Sequence, residues 1–134
     1  IESVVNVYSP IERKKVLELQ EKSDILLFFI WNDKNEKGIF TGKIFEYIGS
    51  SKPILAIGQN DNDVVTAMIR ENQFGLVSNN VEEIKDFILN IKTSESIIKY
   101  KNAYEKNRMK FERQYQVEKL VSIFDNIMKS KVFK

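Results

Sequence analysis

Residues 38–59, GIFTGKIFEYIGSSKPILAIGQ, join a loop, a short helix and an apolar strand in one stretch, and the rest of the chain is read outward from them. Gly38 opens a loop that Thr41-Gly42 closes, placing a hydroxyl and a glycine where a helix starts. Such a start leaves backbone N–H groups without intrahelical partners, free to meet an anion. Ile44, Phe45 and Ile48 fall on one helical face, so Lys43, Glu46 and Tyr47 look elsewhere. Gly49-Ser50-Ser51-Lys52-Pro53 breaks the helix, and Ile54-Leu55-Ala56-Ile57 reads as a strand that Gly58 ends.

Two of these residues have two readings each. Glu46 is either a solvated helix residue paired with Lys43 one turn away, an interaction of about 0.2–0.5 kcal/mol, or a carboxylate turned toward a ligand. Gly42 is a turn glycine at positive φ, a position cleared for an approaching phosphate, or both.

Upstream, Val4-Val5-Asn6-Val7-Tyr8 reads as a first strand. Ser9-Pro10-Ile11-Glu12 reads as a capping box with proline at the first helical position, starting a helix that carries Val16, Leu17 and Leu19 to Ser23-Asp24. Ile25–Ile30 is apolar on both faces, the pattern of a central parallel strand covered from two sides. Downstream, Asp63 is placed to cap a helix over 64–73, with Gly75 as its left-handed stop. Gly75-Leu76-Val77 is then a short strand, and Asn80-Val81-Glu82-Glu83 caps a helix whose stripe is Ile84, Phe87, Ile88 and Ile91. Strands alternating with helices predict an α/β fold, a doubly wound parallel sheet of four strands whose ligands sit beyond the carboxyl ends at Tyr8, Trp31, Gly58 and Ser78.

The segment FTGKIFEYIGSSKPILAIG resembles the donor-side motif of retaining-type GT-B glycosyltransferases, in which a glycine-containing loop leads into a helix carrying a glutamate, then a small-residue turn and "KPIL" or "KPVI". The resemblance implies a Rossmann-like domain that binds the nucleoside diphosphate of a sugar donor, with no cofactor and no metal. On this sequence it gives the ribose hydroxyls to Glu46 and the diphosphate to the Thr41-Gly42-Lys43 stretch. The motif's other glutamate, eight positions earlier, is Gly38 here, so the sugar contact of that side chain is not carried over. The similarity spans most of the chain but only the later part of one of two domains. It implies further βα units and an acceptor-binding domain in the whole enzyme, and catalytic residues outside this segment. It also implies bacterial glycan synthesis in the cytoplasm, with peripheral association at the inner face of the membrane as an option. Tyr8, at a strand end, is a candidate to stack on the base.

Composition fits a piece of an enzyme. The chain has 134 residues and 43% hydrophobic content, enough for one domain with a core. Ile1 is not an initiator methionine, and we read an excised segment. No signal core is present, and the apolar run 25–31 is far below the roughly 20 residues a membrane-crossing helix needs. With neither cysteine nor histidine, these residues contain no thiol nucleophile, zinc-thiolate set or Ser-His pair. A net charge of +2 is too balanced to argue for nucleic acid.

Residues 95–134 read as a helical tail packing on the single domain formed by the whole chain. From Ser94 onward the sequence holds ten of the 21 basic residues and an apolar stripe at Val117, Leu120, Val121, Phe124, Ile127 and Met128. A membrane-surface or RNA-facing role is the competing reading, diluted by Glu105, Glu112, Glu118 and Asp125. Asn60-Asp61-Asn62-Asp63 could mimic the metal-binding Asp-x-Asp of GT-A enzymes, but turn and cap chemistry accounts for it. Trp31, Asp33 and Glu36 read as surface loop. The alternative to a transferase is a flavodoxin-like or receiver-like binding module; the strand ends Tyr8-Ser9 and Trp31-Asn32 lack the clustered acids of a receiver.

Overall fold

The computed structural model describes residues 4–29, 41–58 and 63–131. Its sheet has three parallel strands, β1 (Leu26–Phe29), β2 (Ile54–Ile57) and β3 (Gly75–Val77), in the spatial order β1-β2-β3. Helix α1 (Arg13–Lys22) precedes β1, α2 (Gly42–Ser50) joins β1 to β2, and α3 (Val64–Glu71) joins β2 to β3. Then come α4 (Val81–Asn90), α5 (Ser94–Asn107), a 3-10 turn (Arg108–Phe111) and α6 (Arg113–Lys131).

Strand alternation puts Leu26, Phe28, Ile54, Ala56 and Val77 on one face, in register, and all five are buried. That face packs against Ile44, Tyr47 and Ile48 of α2, Val65 and Ile69 of α3, and Tyr104 of α5. Each fully buried isoleucine contributes on the order of 1.5–3 kcal/mol. Phe74 is the aromatic centre, stacked on Tyr104 at 4.6 Å and met edge-on by Phe111 at 5.6 Å. The Tyr104 hydroxyl donates to the Lys52 and Phe74 carbonyls, tying α5 to the starts of β2 and β3. Burial, and then the nearby Tyr100, pushes the Tyr104 phenol far above its ordinary pKa.

Gly75 is dictated by close approach: a methyl built there would meet the Ile54 carbonyl oxygen and lie 2.6 Å from the Ile54 nitrogen and carbonyl carbon. No side chain fits that seam.

Several expectations are corrected. Residues 4–8 form no strand; Val4, Val7 and Tyr8 are well exposed, because an apolar β-prone run becomes a strand only where a partner strand accepts it. Helix α1 begins at Arg13 rather than Pro10, with Glu12 at its cap and no side-chain cap bond. Only one face of β1 is covered, since Leu27 and Phe29 are exposed, although Leu55 on that second face is buried. In α2 the buried set is Ile44, Tyr47 and Ile48, while Phe45 is exposed. The left-handed residue after α3 is Gln73, with φ 56°, and Gly75 lies in the strand. Strand order is sequential, with no reversal among the described strands. Helix α5 buries Tyr100, Ala103 and Tyr104, whereas every residue of α6 from Arg113 to Ser130 is exposed, including all six of the apolar stripe. Gly38, Trp31, Asp33, Glu36 and Asn60–Asn62 lie outside the described residues.

Candidate functional site

Helix α2 ends three residues before β2 begins, so it runs back along the sheet and its first turn lies toward the carboxyl ends of β1 and β2. The Tyr47 hydroxyl, donating to the Leu27 carbonyl at 3.3 Å, and an edge-on contact of Tyr47 with Phe28 at 6.1 Å fix the helix there. Burial, and then the adjacent Glu46 charge, raises the Tyr47 pKa. The residues around the α2 start are therefore held by a rigid anchor one turn further on.

Thr41 is the N-cap, extended at φ −93°, ψ 143°, and its hydroxyl makes no cap bond; no acidic residue occupies the first turn. Thr41, Gly42 and Lys43 are all exposed. Gly42 is the first helical residue, not a positive-φ turn, and open space surrounds the place a Cβ would take. Nothing within the described chain requires glycine at this position. Among the described residues, the positive end of the α2 dipole is thus exposed and meets no neutralising side chain.

Of the other helix starts at this end of the sheet, those of α3 and α4 are closed, whereas α1, like α2, has no side-chain cap bond. Asp63 accepts from the Val65 and Thr66 amides at 2.6 and 3.3 Å, as its cap role predicts. Asn80 accepts from Glu82 and Glu83 at 2.9 and 3.2 Å. Glu83 does not reach back to Asn80; it accepts from the Ser78 hydroxyl at 2.6 Å, and Ser78 in turn accepts from the Asn80 amide at 2.9 Å. The Gly58 amide, at φ 89°, donates to the Asn79 side chain at 2.7 Å and links the ends of β2 and β3. Ser78 and Asn79 are committed to the fold, leaving the uncapped starts of α2 and α1 as the open parts of this edge among the described residues.

Glu46 stands one turn beyond Gly42, on the same side of the helix. Its partner is Arg13 of α1 at 2.9 Å, not Lys43, with the two side chains 35% and 77% exposed. Sequence reasoning missed Arg13 because the pair spans 33 residues, and no local spacing rule reaches that far. The carboxylate keeps accepting capacity beyond this one bond, and the guanidinium keeps further N–H donors. Tyr8 is 62% exposed in the irregular segment before α1, and among the described residues no hydrogen bond or ring contact joins it to α2. The structure groups Thr41, Gly42, Lys43 and Glu46 on one helix and adds Arg13, without Tyr8. Among the described residues no cluster of three or more potential metal-ligating side chains occurs, and no helix is long and apolar enough to cross a membrane.

Protein-family models, curated proteins and solved structures were all compared with the chain, and none matches.

Proposed function

We propose that the first two turns of α2 bind the nucleoside diphosphate of a sugar donor, within a Rossmann-like donor domain of a GT-B glycosyltransferase. The observation that carries the reading is the exposed, uncapped start of α2, with Glu46 one turn below it, at the carboxyl edge of a parallel sheet. This is where parallel α/β sheets take their ligands, and the sequence around it resembles the donor motif. Amides near Gly42 and the Lys43 ammonium face the diphosphate and stabilise the charge that develops on it as the glycosidic bond breaks. Glu46 accepts hydrogen bonds from the ribose hydroxyls, and Arg13 holds that carboxylate in place. Acceptor chemistry belongs to the rest of the enzyme.

Calorimetry on UDP and 2′-deoxy-UDP, with the natural chain and with Glu46→Ala, tests the ribose assignment. A hydrogen bond to a carboxylate contributes about 1.5–3 kcal/mol, so the natural chain should discriminate between the two nucleotides by roughly tenfold or more, and Glu46→Ala should lose that discrimination. Equal discrimination in both proteins would remove Glu46 from the ribose site.

A further inference from the structure

A concavity of about 640 Å³ lies at the end of the sheet opposite the α2 start, where Asp24 precedes β1 and Lys52-Pro53 precede β2. Its other walls come from the α4–α5 turn, α5 and the 3-10 turn, far along the chain from the α2 start. The volume is within the range of roughly 300–1,000 Å³ typical of small-molecule sites.

Its chemistry is two-sided. Pro53, Ile91, Ile97, Tyr100, Tyr104 and Met109 supply apolar surface. Four cations, Lys52, Lys92, Lys101 and Arg108, stand against two carboxylates, Asp24 and Glu105. Asp24 is taken by Lys92 at 2.8 Å, and Glu105 pairs loosely with Lys101 at 3.9 Å. Lys52 and Arg108 keep N–H donors for an incoming anion. Lys52 is half-buried and makes no ion pair among the described residues. Arg108 is brought beside it by donating to the Ser51 hydroxyl at 3.2 Å, and its other contact, with Glu112, is long at 3.7 Å. The floor is rigid: Ser51 holds a left-handed turn at φ 56°, and the Tyr104 hydroxyl is bound to the Lys52 carbonyl. One cation on a fixed turn and a second hydrogen-bonded to it, beside an apolar wall, select a ligand by charge at one end and by surface at the other.

We propose that this cleft binds a small soluble amphipathic anion, an aromatic-sized apolar body carrying one phosphate or carboxylate head, with the head on Lys52 and Arg108 and the body against Tyr100 and Ile97. The site is separate from the α2 start, so either assignment stands or falls alone.

The test is an amide-resolved NMR titration of the full chain with 1-naphthyl phosphate, with inorganic phosphate and 1-naphthol as half-ligands. Saturable shifts at Ser51, Lys52, Tyr100, Tyr104 and Arg108 are expected for naphthyl phosphate, with each half-ligand at least tenfold weaker. Lys52→Glu and Arg108→Glu, both in a folded chain by their amide spectra, should each weaken binding at least fivefold, while Lys52→Arg keeps it within about twofold. Equal binding of naphthol, unaltered binding by Lys52→Glu, or shifts confined to Thr41–Tyr47 or to α6 would each overturn the assignment.

Discussion

Replacing Gly75 with alanine probes the seam that holds the sheet together. The added methyl would fall against the Ile54 carbonyl and sit 2.6 Å from two further Ile54 backbone atoms, inside the 3.0 Å that Cβ atoms keep from such neighbours. Neither side can yield through a side-chain rotation, because the obstacle is main chain. Moving the strands apart stretches the Ile54 amide bond to the Phe74 carbonyl, now 2.9 Å, and disturbs the Tyr104 hydroxyl on the same carbonyl. Overpacking costs about 1–3 kcal/mol, and one or two weakened hydrogen bonds add about 0.5–1.5 kcal/mol each. A loss of roughly 1.5–6 kcal/mol follows, against a total of about 5–15 kcal/mol for a typical domain. Urea unfolding followed by far-ultraviolet circular dichroism reads it as a lowered midpoint at constant slope. Gly49→Ala is the internal control: it is helical with open space around it, and the substitution should stabilise by about 0.5–1 kcal/mol. A Gly75→Ala midpoint equal to that of the natural chain would refute the close approach of β2 and β3.

Other perturbations have equally definite outcomes. Tyr104 has a folded pKa raised above its unfolded value near 10, so its contribution to stability is complete below that pH and is lost as pH rises toward the folded pKa. In the natural chain stability should therefore fall above about pH 10, and Tyr104→Phe should make that decline shallower by up to about 1.4 kcal/mol per pH unit, in urea titrations at pH 9 to 11. Arg13→Ala breaks an exposed ion pair and should change stability by no more than about 1 kcal/mol, yet weaken nucleotide binding measurably by calorimetry. Leu120→Ser and Phe124→Ser, at 50% and 56% exposed positions, should leave the unfolding midpoint unchanged within about 0.5 kcal/mol; a large loss would mean α6 packs on the domain after all.

What was legible in the sequence was local chemistry. Asp63 and Asn80 cap their helices because a short side-chain acceptor beside free amides is decided within three residues. The strands at 26–29, 54–57 and 75–77 follow from apolar runs bounded by breakers. Partner-dependent features were not legible. Phe45 and Tyr47 are both plausible neighbours of Ile44 and Ile48 on a helical wheel, and the Leu27 carbonyl, available only after folding, gives the buried place to the phenol. Val4–Tyr8 has β-prone side chains but pairs with no strand among the described residues, and so remains irregular and exposed. Gln73 takes the left-handed turn, and Gly75, the residue that turn chemistry would favour for it, is instead held at the strand seam by close approach. Thr41, Gly42, Lys43 and Glu46 were readable together as a motif on one helix, whereas the cation paired with Glu46, Arg13, comes from another helix.

The most direct measurement of the central claim is an amide-resolved NMR titration of the chain with UDP, GDP and ADP, with and without magnesium. The account predicts saturable, magnesium-independent shifts centred on Gly42, Lys43 and Glu46 for at least one nucleotide, abolished by Glu46→Ala. Nucleotide binding that leaves Thr41–Tyr47 undisturbed, or no binding of any of the three, would contradict it.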